Sequence, residues 1–314
     1  MLELKKATIE LYESLKKLFR ESFNLTREEV DFFFKNKVNP DNCVVCLQDG
    51  NVVSALYMFY NSLMCNDSKK IKAYYLYGAA TFPKYRNKGF MTQTINFANK
   101  LALKDGCKYS ILLPENDNLS RFYEKRGYQP FFKTNFLKFR FETLKKVSSF
   151  EKLCNDKNFE NFKDDTTRFN YLNFEKIRER FYNSLYDVYW DADSIKFAVN
   201  SNDYYKGKGI KNILREKSYA ICCYSKEENV AQILELALSN INDMYELKFL
   251  LCNILKLIPA KEYIFRLPVN RLSFLEKFCN DVKTKNWGMI KSLSCERINL
   301  LDSENCPYLG LTLD

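Results

Sequence analysis

Histidine is absent from all 314 residues. Its loss removes the commonest general base and the commonest metal ligand together. Ser-His-Asp and Cys-His nucleophilic machinery is thereby excluded. Also missing is any uninterrupted apolar run near the ~20 residues that a membrane-spanning helix needs. The opening Met1-Leu2-Glu3-Leu4-Lys5-Lys6 has no apolar export core, because charge interrupts it at once. The expected location is the cytoplasm, with no membrane partner. A basic stripe is lacking too. The formal charge is +10, yet the Lys-Lys pairs at 5–6, 16–17, 69–70 and 145–146 are interspersed with acidic residues. A nucleic-acid binder concentrates such charge on one face, so no nucleic-acid partner is expected. A mildly positive field still helps recruit a polyanion.

What is present describes an ordinary globular protein: 46% hydrophobic and 28% charged residues. The length suits two compact domains better than one. Eleven cysteines raise the question of disulfides or metal. The number is odd and the chain is long, which favours free thiols. Cys43-x-x-Cys46 lies in the apolar stretch Cys43-Val44-Val45-Cys46-Leu47, where strand residues three apart point to opposite faces. Cys222-Cys223 has the same problem. These residues are expected to be buried structural thiols, with no metal.

The coarse reading along the chain begins with a strand over Leu2–Thr8 and a helix over Ile9–Phe23, whose apolar residues recur in steps near 3.6. Thr26 reads as the cap of a second helix, with Glu28 and Glu29 in its first turn. Strands at Asn42–Gln48 and Val52–Tyr60 flank the hairpin signal Asp49-Gly50-Asn51. A third strand spans Lys72–Phe82 and stops at Pro83. A helix over Met91–Asp105, a strand over Tyr109–Leu113, a short helix over Leu119–Arg126 and a strand over Tyr128–Phe139 complete the first half. This order predicts one mixed α/β sheet with helices on its faces.

Residues 140–168 are charged and lack apolar periodicity. The expected division is a first domain at 1–142, a linker at 143–168 and a second domain at 169–314. The second half reads as helices at Phe174–Leu185 and Asp193–Asn200 and strands at Ser218–Tyr224 and Asn229–Ala237. A helix at Asp243–Leu257, a strand at Glu262–Leu267, a helix at Arg271–Cys279 and strands at Trp287–Leu293 and Tyr308–Leu313 follow. The succession repeats the order of the first half and suggests a diverged second copy of one fold; a generic α/β domain is the alternative.

One junction carries chemistry. Ala79-Ala80-Thr81-Phe82-Pro83-Lys84-Tyr85-Arg86-Asn87-Lys88-Gly89-Phe90-Met91-Thr92 joins the end of a strand to the start of a helix. Helix N-termini carry unpaired N–H groups and a partial positive charge. Gly89 lets backbone approach a phosphate closely. Arg86 offers a two-pronged contact to phosphate oxygens, and Lys88 adds charge. Together they form a candidate pyrophosphate cradle.

Arg86-x-x-Gly89-x-Met91 resembles the Arg/Gln-x-x-Gly-x-Gly/Ala signature of the GNAT acetyltransferase family. Met91 departs from the last small residue but matches the variant of the enhanced-intracellular-survival group and related two-domain bacterial proteins. A second match lies downstream: Asn116, Tyr123, Gly127 and Tyr128 stand at the family's Asn-x-x-Ala-x-x-x-Tyr-x-x-x-Gly-Phe spacing, with Leu119 for Ala. The resemblance covers about residues 1–140. It implies an N-terminal GNAT fold with a central mixed, twisted sheet, followed by a degenerate GNAT-like α/β domain. It implies acetyl-CoA as cofactor. The backbone of Ala80, Thr81 and Phe82 would pair with the pantetheine arm, and the amides of Asn87, Lys88, Gly89, Phe90 and Met91 would hold the pyrophosphate, with Asn116 also at the cofactor.

The implied reaction is direct attack of an amine on the acetyl thioester in a ternary complex. Tyr123 is the candidate acid for the leaving thiolate. The resemblance to the enhanced-intracellular-survival group makes the C-terminal carboxylate of Asp314 the candidate base; Glu115 and an ordered water chain are the alternatives. Tyr75 and Tyr77 share one strand face and Tyr74 takes the other. The phenylalanines of 19–34 lie where the family builds its acceptor pocket. The acceptor partner is a small-molecule or peptide amine. Ala237–Asp243, the matching junction of the second half, has no Arg-x-x-Gly cradle, so that half is expected to shape the acceptor site or join copies of the chain as a homo-oligomer. A non-catalytic CoA-binding sensor or scaffold keeps the fold without the chemistry.

Overall fold

The computed structural model describes residues 1–65, 69–149, 171–204, 211–214, 217–269, 271–294 and 306–311. The chain divides into two compact units, each assembled from separated stretches. The first comprises Met1–Leu63, Lys70–Pro130 and Gly288–Asp302; the second comprises Met64–Lys69, Phe131–Trp287 and Ser303–Asp314.

The first unit opens with β1 (Leu2–Lys6), α1 (Tyr12–Phe23) and α2 (Arg27–Asn36). Thr26 caps α2 through a reciprocal box with Glu29: each side chain accepts from the other's amide. β2 (Cys43–Gln48) and β3 (Asn51–Met64) follow, joined by Asp49 and Gly50 at φ 51° and 77°. That conformation twists the hairpin with its strands. β4 (Lys70–Thr81), α3 (Phe90–Lys104), β5 (Tyr109–Leu112), α4 (Asp117–Glu124) and β6 (Gln129–Pro130) complete its early part. Val44, Leu56, Tyr74, Leu76, Ile95, Ala98 and Ala102 form the core beneath α3. The opposite face is aromatic. Phe19 of α1 stacks on Phe33 of α2 at 4.7 Å, and both meet Tyr57 and Tyr77. The alternation expected for Tyr74 against Tyr75 and Tyr77 is therefore present.

The expected strand over Tyr128–Phe139 breaks in two. After β6 the chain passes through Phe131 and Phe132, and β7 (Lys133–Arg140) enters the other sheet, between β12 (Glu262–Pro268) and β13 (Asp281–Asn286). In return, β14 (Met289–Ser292) leaves the late chain and lies between β5 and β6. The first sheet thus runs β1-β2-β3-β4-β5-β14-β6. The reciprocal exchange explains why 142–143 is not a structural boundary: β7 and α5 (Phe141–Ser148) both lie in the second unit.

That unit also holds α6 (Tyr171–Phe181), β8 (Val188–Tyr189), α7 (Ala192–Tyr204), β9 (Lys211–Leu214), β10 (Ser218–Ser225), β11 (Val230–Leu238) and α8 (Met244–Leu257). Its sheet runs β13-β7-β12-β11-β10-β9. β11 and β12 are parallel, as are β4 and β5, and antiparallel strands follow in each case. The second sheet therefore repeats the first, as the order of elements suggested. Besides β8, β9 and β13, which were not expected, two details differ from expectation. The helix at Arg271–Cys279 is a short 3-10 turn over Ser273–Lys277. Tyr308–Leu311 is not a strand; it is a buried segment held by single bonds, among them the Trp190 indole donating to the Leu309 carbonyl at 2.9 Å.

Candidate active site

The ladder between β4 and β5 runs from Ala73↔Tyr109 to Tyr75↔Ile111. β4 continues to Thr81, whereas β5 ends at Leu112, so the last turns of β4 extend past their parallel partner. The Phe82 amide donates to the Val53 carbonyl at 3.1 Å, on the β3 side. Backbone groups alternate along a strand, so those of Thr81 point the other way, toward the β5 side. The Arg86 Nε donates to the Thr81 carbonyl there at 3.1 Å. Among the described residues no strand pairs with β4 on this side beyond Tyr75, and an edge of this kind accepts an extended, amide-bearing ligand as an added strand, here with the Thr81 carbonyl shared with Arg86.

Gly78 prepares that edge. It has φ 57° inside β4, and a Cβ there would stand 2.7 Å from Phe19 Cε2 and 2.9 Å from Tyr57 Cδ2. The sequence reading passed over it, because glycine in a strand does not by itself report what crowds it.

The cradle follows. Pro83–Tyr85 form a 3-10 turn, Asn87 takes φ 62° and Gly89 takes φ 81°, and α3 starts at Phe90. The Gln93 amide donates to the Gly89 carbonyl at 3.1 Å, which leaves the first-turn amides of α3 without intrahelical acceptors. A Cβ on Gly89 would meet nothing within 4 Å, so this loop faces open space. The Lys88 ammonium lies 5.7 Å from the Tyr85 ring centre, which holds positive charge beside the loop. Met91 packs its sulfur 4.0 Å from the Ser54 hydroxyl, and Ser54 also meets Thr81 at 3.1 Å and Thr94 at 3.3 Å. Ser54, which belongs to no motif, ties the β4 end to the first turns of α3.

Asn116 caps α4, accepting from the Leu119 amide at 3.1 Å. Glu115 is exposed. Tyr123 is 7% exposed and packs with Leu76, Leu112, Tyr128 and Met289. Burial pushes its phenol well above the ordinary tyrosine range, the nearby Tyr128 adds to this, and Arg126 opposes it. A phenol carries its proton at neutral pH in any case, as a donor must, while burial makes this one a weaker acid and the Arg126 charge opposes that. Below it lies a buried polar pair of bonds: Tyr74 to Asn99 at 2.5 Å and Ser110 to Tyr128 at 2.7 Å. Asp314 lies outside the described residues.

At the matching junction of the second unit, Asp243 caps α8 by accepting from the Glu246 amide at 2.9 Å, and Glu246 is buried against Ser218. Two carboxylates already occupy that helix start, which repels a phosphate.

Residues 3–131 match the family model described as an acetyltransferase (GNAT) domain. No curated protein matches the chain in sequence. Among solved structures, a GCN5-related N-acetyltransferase from Anabaena variabilis superposes with a TM-score of 0.70 at 12% identity, over 94% of this chain and 73% of that one. Eis1 from Mycobacterium abscessus superposes with a TM-score of 0.63 at 8% identity, over 94% and 74%. A putative acetyltransferase from Pyrococcus horikoshii covers 99% of this chain and 95% of its own at 14% identity, with a TM-score of 0.52. At such identities the likeness is one of fold.

Proposed function

We propose that the domain at residues 3–131 makes this chain a GNAT-type acetyltransferase, which transfers an acetyl group from acetyl-CoA to an amine by direct attack in a ternary complex; the family model matched there and the shared fold support this reading. One observation carries this reading. β4 continues beyond its last pairing with β5 and runs into the open, amide-lined turn at Gly89, an arrangement that would take a strand-like arm and a diphosphate in sequence.

The residues present fit such a group. The backbone of Thr81 would line the arm, whereas by the same alternation that of Ala80 turns with Phe82 toward the β3 side, where Phe82 bonds to Val53. The amides of Asn87, Lys88, Gly89, Phe90 and Met91 face the phosphates, where fixed dipoles favour an anion. Arg86 adds its guanidinium and Asn116 its side-chain amide at the mouth. When bound, acetyl-CoA supplies the activated acyl carbonyl. Tyr123 holds a proton at its hydroxyl for the departing sulfur. The incoming amine, with an ordinary pKa near ~10.4 if lysine-like, must lose one; the family resemblance points to an Asp314 carboxylate for this step, with Glu115 and an ordered water chain as the alternatives. Phe19, Phe33 and Tyr57 are buried core, which leaves the half-buried Tyr77 as the ring of this cluster open to an acceptor with flat or apolar parts.

Calorimetry with coenzyme A tests the site, and turnover of acetyl-CoA with an amine panel tests the reaction. Binding that is lost in Arg86→Glu supports the reading. Absence of any heat with the wild-type chain removes it.

A further inference from the structure

Arg126 is not part of either motif, yet its side chain joins the two elements that the proposed reaction depends on. Its Nε and Nη2 donate to the Thr92 hydroxyl at 3.0 and 2.6 Å. Thr92 sits on the first turn of α3, next to the cradle residues Phe90 and Met91. Its Nη1 donates to the Phe122 carbonyl of α4, and its guanidinium lies 3.3 Å from the Phe122 ring centre. The Arg126 carbonyl accepts from the Lys291 ammonium of β14 at 2.7 Å. The geometry points to Arg126 as a positioning residue that locks the Tyr123-bearing helix to the cradle helix, so that the proton donor sits in register with the thioester.

The physical case is one of alternatives. Arg126 is only partly exposed, and its planar fork is satisfied by two acceptors on different helices. A lysine could reach one of them but not both in the same plane. Surface arginines with no such task are solvated and mobile. Here the Phe122 ring and the two acceptors hold the guanidinium in place. Thr92 is one residue from Met91, so a shift of α4 would be felt at the phosphates, and a shift of the cradle at Tyr123. Misplacement by ~1 Å can cost up to ~10²-fold in rate.

The charged and titratable groups facing Tyr123 are Arg126 and Tyr128, and Lys291 stands over the Tyr128 ring at 5.8 Å. Arg126 therefore favours the phenolate that remains after the proton leaves, which adds to its positional role.

The inference rests on Tyr123 as proton donor, and a double-mutant cycle on the full-length chain separates the two ideas. Arg126→Gln is expected to lower kcat about tenfold, with the coenzyme A dissociation constant changed less than about threefold. In a Tyr123→Phe background the same substitution should change kcat by less than about twofold, because a residue acting through Tyr123 has nothing left to position. Thr92→Val, which leaves the charge in place, should show the positional part of that loss and the same disappearance. Arg126→Lys should recover only part of kcat. An Arg126→Gln loss that persists in the Tyr123→Phe background would overturn the inference, as would a loss of coenzyme A affinity matching the loss in kcat. A Tyr123→Phe chain with wild-type kcat would overturn the proton-donor reading itself, and the inference with it.

Discussion

Arg178 and Glu235 form a two-pronged ion pair inside the second unit, at 3.0 and 3.2 Å, with each side chain only 1% exposed. Glu235 also accepts from the Tyr219 hydroxyl at 2.5 Å and the Leu311 amide at 2.9 Å. Arg178 donates its remaining terminal nitrogen to the Val188 carbonyl at 2.6 Å. The pair thus fastens α6, β10, β11 and the buried segment at 308–311 to one point. Desolvation largely offsets the attraction within such a pair, whereas removing one partner strands a buried charge. Glu235→Ala should destabilise the chain by about 3–5 kcal/mol in urea unfolding. Replacing both residues with apolar ones of similar volume should recover most of that. A single mutant within ~1 kcal/mol of wild type would contradict the assignment.

Asp187 gives a pH dependence of unusual sign. It accepts from the Ser184 and Tyr308 amides at 2.9 and 2.8 Å, yet burial outweighs these bonds and raises its carboxyl to about 6. A carboxyl raised in the folded state binds its proton more tightly there than in the unfolded chain. Its contribution to stability is therefore fully present below the unfolded value near 3.8 and is lost as pH rises through about 6. The difference in unfolding free energy between wild type and Asp187→Asn should shift in favour of wild type between pH 7 and pH 4, by on the order of 2 kcal/mol. A difference that stays flat across that range would refute it.

Gly78→Ala should be among the costlier single-methyl additions in the first unit. The new carbon would press on Phe19 and Tyr57 at 2.7 and 2.9 Å, and these rings are wedged in the aromatic face. The positive φ adds strain of about 1 kcal/mol or more. A loss of roughly 2–4 kcal/mol in chemical unfolding is expected, from overpacking together with strain. Phe19→Leu in the same chain should relieve part of it. An unstrained, fully stable Gly78→Ala chain would mean that β4 does not bend here.

The first unit was legible in the sequence because its local signals agree with its packing. Thr26 announces a helix and caps one, Asp49-Gly50 announces a hairpin and makes one, and the Tyr74–Tyr77 alternation sorts the two sheet faces as written. The Arg86–Met91 junction stood out because a strand end, a turn and a helix start fall together. Long-range pairing left no such trace. Nothing in Lys133–Arg140 distinguishes a seventh strand of the first sheet from a strand lent to another, since both need the same alternating pattern. β13 was missed because all six of its residues are exposed, so it carries no apolar period at all. Ser54 and Arg126 were invisible for a related reason: a polar residue acquires its role only from a partner that the fold brings near.

The strand exchange leads to the last prediction. A fragment ending at residue 142 contains the entire cradle and Tyr123, and a division by sequence would treat it as a complete domain. It lacks β14, however. Met289 and Ile290 pair with Leu112 and Ile111 and are 2% and 0% exposed. Burying such side chains contributes about 1.5–3 kcal/mol each, a sizeable part of the ~5–15 kcal/mol that stabilises a typical domain. Their removal opens the gap between β5 and β6, beside the Tyr123 helix. The same fragment keeps β7 without its partners β12 and β13, exposing Leu137 and Phe139, which are 1% and 0% exposed in the intact chain. An unpaired apolar strand edge invites association. The fragment should therefore aggregate or unfold without cooperativity, and should bind coenzyme A far more weakly than the full chain. Ending the fragment at Pro130 and appending residues 286–294 through a flexible linker should restore a cooperative thermal transition, because it returns β14 and removes the orphaned β7. A 1–142 fragment that is monomeric, melts cooperatively and binds coenzyme A as the intact chain does would show that the exchanged strand is dispensable to the first unit.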